Sequence, residues 1–249
     1  YPDIALSRDG SQLVVSAVQG DTAVLLQRVL NQLSFNPVPG SGKVGGRAFL
    51  SPDGAWVGTA AREHLIKLPL AGGPPTELAE GDWGGGDWAA DGNIIYSVNY
   101  FSGLWRVPAA GGKPEQLTTP DSATGELAHW WPQVLPDGDH VIFTAFRTPI
   151  ARSTIEVLSL RSRQRTVLAT GGVSGRYLPT GHLVYGRNEA LFAVPFDLGK
   201  LAVRGEAVPV LQDLALQTTD GKAGFAVADN GTLAYISASV MSPNLDPVW

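Results

Sequence analysis

One pattern of apolar and polar residues recurs six times along the chain. Each copy is a short apolar run, a turn that ends in glycine, and a second apolar run, as in residues 48–59 and 132–143. The turns contain Asp-Gly, Thr-Gly or Asn-Gly pairs, which supply the positive φ that a tight hairpin demands. The pattern therefore predicts six β-hairpins. Their turn glycines are Gly10, Gly54, Gly92, Gly138, Gly181 and Gly231.

The spacing of these hairpins predicts the architecture. Successive turn glycines lie 44, 38, 46, 43 and 50 residues apart, which leaves room for up to four strands in each repeat. Strand-rich repeats of this length are typical of β-propeller blades. The sequence thus predicts an all-β fold, a single six-bladed β-propeller domain of mostly four-stranded antiparallel blades with an incomplete last blade. The predicted domain spans 1–249, with blades at about 1–40, 41–80, 81–120, 126–171, 172–214 and 220–249.

One stretch admits a helical interpretation. Residues 23–33 have plausible helical content, but they fall where the first repeat requires its third strand. We therefore predict a strand there. The last repeat ends in a weak segment at 247–249 with no clear outermost strand.

Composition narrows the class of function. Apolar residues make up 44% of the 249 residues and charged residues 16%, with 30 Gly and 18 Pro, as in a turn-rich globular protein. A net charge of −5 argues against nucleic-acid binding. The chain has no cysteine and no apolar run long enough to span a membrane. We expect a monomer that makes no membrane contact through this segment itself.

Several phrases resemble a known family. FLSPDGAWVG at 49–58 is close to the repeat of TolB-like, or PD40, propellers. Three longer phrases look like the TolB-like sensor segments that follow the kinase domain in many bacterial receptor-type serine/threonine kinases. These phrases are GLWRVPAAGGKPEQLT at 103–118, HWWPQVLPDGDHVIFT at 129–144 and RYLPTGHLVYGRNEALFAVPFDL at 176–198.

The resemblance implies a non-catalytic sensor or scaffold domain that binds a ligand or a protein. It would lie outside the cytoplasm, in the periplasm or at the cell surface, tethered through a membrane helix outside this segment. The chain itself contains no kinase motif and no membrane helix. Two alternatives stay open: a TolB-type envelope protein-interaction module, and a propeller accessory to a hydrolase. We expect an unknown small ligand or protein at the channel mouth and no cofactor.

No enzyme motif is found in the sequence. Residues 171–176 (GGVSGR) lack the Gly-x-Ser-x-Gly frame of a nucleophile elbow, and residues 40–44 (GSGKV) lack the Ser or Thr of a phosphate loop. We therefore assign no catalytic residue.

The candidate ligand-binding residues follow from the fold. A propeller places the first strand of each blade around a central channel. Residues at the start of the predicted first strands include two Arg, one Asp and one His beside Trp and Tyr, which would suit an anionic or sugar-like ligand or a partner's peptide. The alternative is that these groups fill a narrow channel and bond to one another. The candidates are Arg47, Asp87, Trp88, His129, Trp131, Arg176 and Tyr177.

Five aromatic or histidine positions carry more specific expectations. Trp130 and Trp131 should point to opposite sides of their strand, one into the core between blades and the other to the channel wall. For His129, a structural role in an inter-blade loop is favoured over catalysis. Burial of Trp56 and Trp105 between blades predicts a loss of several kcal/mol on substitution by Ala, within the roughly 3–5 kcal/mol typical of a large buried aromatic.

A metal site is considered and not favoured. Residues 81–92 (GDWGGGDWAADG) place Asp82, Asp87 and Asp91 among glycines, and carboxylate oxygens are calcium ligands. No calcium-loop pattern is present, however. The preferred interpretation is that the glycines form a strand entry and the carboxylates cap turns, so no metal ligand is assigned.

Overall fold

The computed structural model describes residues 3–19, 22–42, 44, 47–61, 63–81 and 84–239. Its strands form antiparallel sheets in which neighbouring strands follow one another along the chain. Strands are numbered here in chain order. The first three blades consist of β1 (Ile4–Leu6), β2 (Gln12–Gln19), β3 (Thr22–Val29), β4 (Asn36–Pro37); β5 (Phe49–Leu50), β6 (Trp56–Ala61), β7 (His64–Pro69), β8 (Thr76–Glu80); and β9 (Gly86–Trp88), β10 (Asn93–Ser97), β11 (Leu104–Pro108), β12 (Glu115–Gln116).

The fourth and fifth blades are longer. In the fifth, two short strands, β20 and β21, both pair with β19. These blades consist of β13 (Glu126–Val134), β14 (His140–Arg147), β15 (Thr154–Ser159), β16 (Arg165–Thr170); and β17 (Val173–Leu178), β18 (His182–Arg187), β19 (Ala190–Asp197), β20 (Ala202–Val203), β21 (Val208–Leu211). Two 3-10 helices, Ser122–Thr124 and Ile150–Arg152, lie before β13 and before β15.

The sixth repeat corrects the predicted blade count. Within the described residues the chain forms five blades rather than six, four of them four-stranded and one five-stranded, because this repeat contributes only short strand pairs. After the last hairpin, the chain bonds back to the segment that follows blade five: the Ala238 N–H donates to the Asp213 carbonyl. The predicted segment at 247–249 lies outside the described residues. The strands of this repeat are β22 (Leu216–Gln217), β23 (Lys222–Ala223), β24 (Phe225–Val227) and β25 (Leu233–Tyr235).

The sheets are arranged around one axis. The first strand of each blade contacts the first strand of the next, and β24 contacts β1, so the sixth hairpin occupies the gap between blades five and one. This ring of first strands is the all-β propeller that the repeat predicted. The segment at 23–33 forms β3 as far as Val29, as expected for the third strand of blade one.

The hairpin turns share a side-chain pattern. The Ser51 hydroxyl donates to Asp53 at 2.5 Å and accepts the Trp56 N–H at 2.9 Å. In the first repeat, where Arg replaces Pro in the turn, Ser7 makes the same bond to Asp9, at 2.5 Å. The serine and the aspartate therefore form the turn, and the residue between them does not.

Apolar residues fill the spaces between blades. One such cluster joins blades two and three and contains the buried side chains of Phe49, Leu65, Trp88 and Tyr96. Trp56 and Trp105 only pack against this cluster from outside, half-buried. Both rings therefore lie on the faces that blades two and three turn toward each other, as expected, but they are half-buried at the edge of the cluster rather than fully buried in it.

The glycine run at 84–86 makes room for rings from neighbouring blades. A Cβ on Gly84 would lie 2.0 Å from the Trp130 ring, and a Cβ on Gly85 would lie 2.8 Å from Trp131. A Cβ on Gly86 would lie 2.5 Å from the Phe49 ring. The run therefore allows three aromatic rings to reach the inner edge of blade three.

The junction between blades three and four also buries charge. Glu126, with 3% of its side chain exposed, pairs with Arg147 at 2.8 Å and Arg165 at 2.5 Å. The His129 ring is fully buried, 2.9 Å from the Glu126 carboxylate and 2.7 Å from the Thr118 hydroxyl of blade three. Neither of the described helices is long and apolar enough to cross a membrane.

Candidate functional site

The ring of first strands encloses a channel with two cavities. The narrow cavity, about 50 Å³, lies where the first strands begin, and the wide cavity, about 320 Å³, lies toward the hairpin turns. Residues from all six repeats border the wide cavity. Five residues border both cavities and mark the boundary between them: Ile4, Ala48, Gly86, Arg176 and Phe225.

The narrow cavity is formed by one repeated position. Counting back from each turn glycine, the residue seven positions earlier lies at this end of its strand. Four of these residues have left-handed backbones, with φ between 55° and 74°, which turns each strand toward the axis. The residues at this position are Asp3, Arg47, Gly85, Trp131, Ser174 and Gly224, and all but the last border the narrow cavity.

The wide cavity is formed by the position two residues further along. Five residues before each turn glycine, every repeat contributes one residue to its wall. Two of the six are charged, one is an amide and three are apolar. They are Ala5, Phe49, Asp87, Gln133, Arg176 and Ala226.

Three polar members of this layer hydrogen-bond to the backbone of a neighbouring blade. Asp87 accepts the Val134 N–H at 2.7 Å, and Gln133 accepts the Tyr177 N–H at 2.6 Å while donating to the Tyr177 carbonyl at 3.2 Å. Arg176 donates through Nη1 to the Trp131 carbonyl at 2.9 Å. Part of the polar chemistry predicted for the channel therefore joins blades three, four and five.

Two ion pairs close the narrow end. Arg47 lies 2.7 Å from Asp220, and Lys222 lies 2.6 Å from Asp3. Trp131 lies between them: its Nε1–H donates to the Asp220 carbonyl at 2.9 Å, and the Arg47 guanidinium lies 5.4 Å from its ring centre. These contacts connect the segment before β24 to blades one, two and four.

The wide end carries charges with less direct pairing. Arg8 donates to the Trp88 carbonyl at 2.9 Å. Burial raises the pKa of Asp87, whereas the nearby charges of Arg8 and Arg176 act to lower it. Burial lowers the pKa of Arg176, and the carboxylates of Asp87 and Asp3 oppose that effect.

Most of the predicted candidates lie on the channel. Arg47 and Trp131 border the narrow cavity, Asp87 and Tyr177 border the wide one, and Arg176 borders both. The Tyr177 ring also packs edge-on against Phe196, with 5.8 Å between ring centres.

Two candidates are corrected by their position. Trp88 is buried in the core between blades two and three, because its side chain points to the opposite face from Asp87. His129 is buried in the junction of blades three and four, where its ring bonds Glu126 and Thr118. Neither side chain lines the channel.

The neighbouring tryptophans diverge as expected. Trp130 packs against Phe146 in the core, with 4.7 Å between ring centres, while Trp131 reaches the narrow cavity. A β-bulge between Trp130 and Gln133 and the left-handed φ of 57° at Trp131 produce this change of direction.

The carboxylates considered for calcium serve separate purposes. Asp91 accepts the Asn93 N–H at 2.9 Å within a hairpin turn, whereas Asp87 faces the channel. Asp82 lies outside the described residues. In the described part of the chain, no three His, Asp or Glu side chains are grouped to hold a metal ion.

Sequence reasoning missed several channel residues. Asp3, Arg8, Asp220 and Lys222 all contribute charge to the two ends. The signal for two of them was the phrase TTDGK at 218–222, whose Asp-Gly pair falls outside the hairpin repeat. The others occupy repeat positions at which the remaining blades have different residue types.

Comparison with solved structures places the fold. TolB from Acinetobacter baumannii superposes with a TM-score of 0.67 at 12% identity, over 94% of this chain and 56% of that one. A putative TolB from Agrobacterium tumefaciens gives 0.63 at 16% identity, over 94% and 89%. Puromycin hydrolase gives 0.61 at 14% identity, over 94% of this chain and 43% of the hydrolase.

These similarities establish a TolB-like β-propeller fold. The chain spans only about half the length of the A. baumannii protein, 56%. No protein-family model matches the sequence, and a search of curated proteins gives no match.

Proposed function

We propose that this chain is a non-catalytic binding domain that takes a small ligand or part of a protein partner in the wide cavity. The observation that carries the proposal is the cavity itself, about 320 Å³ and bordered by all six repeats. Its volume lies at the lower end of the roughly 300–1,000 Å³ typical of ligand pockets. Its wall carries a few convergent polar groups, Asp87, Gln133 and Arg176, as such pockets typically do.

We further propose that the domain is the extracytoplasmic sensor of a membrane-anchored bacterial serine/threonine kinase. The support is the resemblance of residues 103–118, 129–144 and 176–198 to such sensor segments. A TolB-type envelope interaction module is the second candidate, favoured by the structural similarity to two TolB proteins. An accessory propeller of a hydrolase is the third, favoured by the similarity to puromycin hydrolase.

The binding proposal is tested by filling the cavity. Ala226 borders the wide cavity, so Ala226→Trp should occlude it, whereas Ala90→Trp places the same ring on an exposed turn. A library of small molecules and envelope proteins is screened by calorimetry against the unmodified protein and both variants. We expect binding that Ala226→Trp abolishes and Ala90→Trp preserves. Binding that survives in both variants would place the site elsewhere.

The three candidate contexts are separated by the parent gene. A kinase domain and a membrane helix encoded with this segment would support the sensor. A small α/β domain would support the TolB-type module, and an α/β-hydrolase domain would support the accessory propeller.

A further inference from the structure

Arg176 occupies an unusual position for a charged side chain. It lies on the boundary between the two cavities, at the level where all six repeats approach the axis. Both of its hydrogen bonds within the described residues leave from Nη1, to the carbonyls of Trp131 and Gly175, each at 2.9 Å. No carboxylate of the described chain lies within ion-pair distance of Arg176. An arginine stays charged in proteins, so its positive charge remains without a direct counterion.

The two carboxylates nearest to Arg176 are already engaged. Asp3 pairs with Lys222 at 2.6 Å, and Asp87 accepts the Val134 N–H at 2.7 Å. Their charges reach Arg176 through space, one from the narrow cavity and one from the wide cavity. Neither forms the bidentate pair that the planar guanidinium favours.

A second arginine faces the same cavity. Arg8 borders the wide cavity and donates through Nη2 to the Trp88 carbonyl at 2.9 Å. Both arginines act on Asp87, so the three groups lie near one another. The remaining carboxylate on this wall, Asp229, is exposed at the turn end. The inner part of the wide cavity therefore holds two cations and one carboxylate.

Apolar residues complete the wall. Two alanines of the channel-facing layer, Ala5 and Ala226, and two turn prolines, Pro136 and Pro179, border the wide cavity. A ligand that meets both surfaces needs a negative group and an apolar body.

We propose that the wide cavity binds a small organic anion, with its carboxylate or phosphate held by Arg176 and Arg8 and its apolar body against Ala5, Ala226 and the turn prolines. This inference rests on the proposed binding function and adds the chemical class of the ligand. A charge-assisted pair with a desolvated guanidinium is stronger than a neutral hydrogen bond, so the anion supplies the counterion that the protein does not.

The test compares charged and neutral probes of equal shape. Benzoate, phenyl phosphate and inorganic phosphate are titrated into the full chain by calorimetry, with benzamide as the neutral match for benzoate. We expect benzoate to bind about tenfold tighter than benzamide, as a charge-assisted pair predicts. Inorganic phosphate should bind more weakly than phenyl phosphate, because it lacks the apolar body.

Variants locate the site. Arg176→Gln and Arg8→Gln should each weaken benzoate binding about tenfold and leave benzamide unchanged. Arg161→Gln is the control, since Arg161 is 82% exposed and pairs with Asp139 on the surface. If circular dichroism shows that Arg176→Gln does not fold, Arg8→Gln provides the result. Benzoate binding that is unchanged in the folded variants overturns the inference.

Two results separate this inference from the proposed function. If benzoate and benzamide bind equally and Ala226→Trp blocks both, the cavity is a ligand site but not an anion site. If no anionic probe binds while the library screen finds a neutral ligand that Ala226→Trp excludes, the binding function stands and the anion inference fails.

Discussion

Two junctions in this ring are built in different ways. Between blades three and four, a fully enclosed network of aromatic rings and charges surrounds Trp130 and Glu126. Between the sixth hairpin and blade one, the contacts are polar: the Asp229 N–H donates to the Arg8 carbonyl at 2.8 Å, and Asn230 donates to the Asp9 carbonyl at 2.9 Å. Two ion pairs at the narrow end add to this closure.

The difference shows that blades of one repeat pattern contribute unequally to stability. A buried junction loses dispersion contacts and leaves charges unpaired when one member is removed. A closure made of single hydrogen bonds and separate ion pairs loses only one contact at a time, with its modest net free energy. We therefore expect the junction of blades three and four to tolerate substitution less well than the closure does.

The largest effect is expected at Trp130. Trp130→Ala removes a ring that is 2% exposed and should lower the free energy of unfolding by about 3–5 kcal/mol. Trp56→Ala, at a half-buried ring, is the matched control and should cost less than half as much. Urea denaturation of both variants measures the difference. Equal losses in the two variants would mean that the buried Trp130 ring contributes no more to the free energy of unfolding than the half-buried Trp56 ring does.

Glu126→Gln tests the charged part of the same junction. Removing the carboxylate takes away the counterion of Arg147 and leaves Arg165 with Glu156 alone, so it should cost about 3 kcal/mol, as for a broken buried ion pair. Glu115→Gln is the control, because Glu115 is 45% exposed and also pairs with an arginine, Arg106. An exposed pair contributes less than about 1 kcal/mol. A similar loss in both variants would contradict the distinction between the two sites.

The closure is tested at Asp220. Asp220→Asn weakens a single ion pair, with Arg47, and should cost about 2 kcal/mol, less than at Glu126, whose carboxylate pairs with two arginines. Asp139→Asn breaks an exposed pair with Arg161 and should be nearly neutral. A loss at Asp220 larger than that at Glu126 would reverse the ranking of the two junctions.

The smallest effect is expected from pH. Burial lowers the folded-state pKa of His129 below 6.5, so its contribution to stability is present above pH 6.5 and is lost as the pH falls below that value. The loss should be about 1 kcal/mol per pH unit, just under the limit for one proton. His129→Gln should flatten the dependence of unfolding free energy on pH between 6.5 and 5. An unchanged slope would assign the acid sensitivity to other groups.

Glu126 acts at lower pH and in the same direction. Burial alone would raise its pKa, but the hydrogen bonds from His129 and Arg165 outweigh burial and hold the pKa well below 4.5. Its contribution is therefore complete above pH 4.5 and is lost as the pH falls further. The two groups together make this junction progressively weaker in acid.

The strand content and the ring were predictable because they depend on local signals. Asp-Gly and Asn-Gly pairs specify hairpin turns, and their spacing reflects one blade. The partial exposure of Trp56 and Trp105 was not predictable, because strand alternation indicates which face of a sheet carries a ring but not how far the neighbouring blade covers it. The sixth repeat kept its turn signal at Gly231 although it forms only short strand pairs.

The site was predictable only in outline. Residue type and position beside a first strand correctly brought Arg47, Asp87 and Arg176 to the channel. The same reasoning failed for Trp88, because a shift of one residue along a strand reverses the face. It also missed Arg8, whose position in the repeat carries unrelated residues in the other blades, and Lys222, which lies outside the hairpin repeat.

The constant interval between each inward-turning residue and its turn glycine has a consequence for how this protein tolerates change. Repeat length varies by up to a dozen residues while the seven-residue segment stays fixed, so all length variation is confined to the outer strands and their connections. Insertions made in the outer strands of a blade or in their connections should leave the channel unchanged. A single residue added inside the segment would turn the channel-facing side chains of that blade out of register. The interval can therefore be used to align divergent repeats and to choose positions for grafted loops.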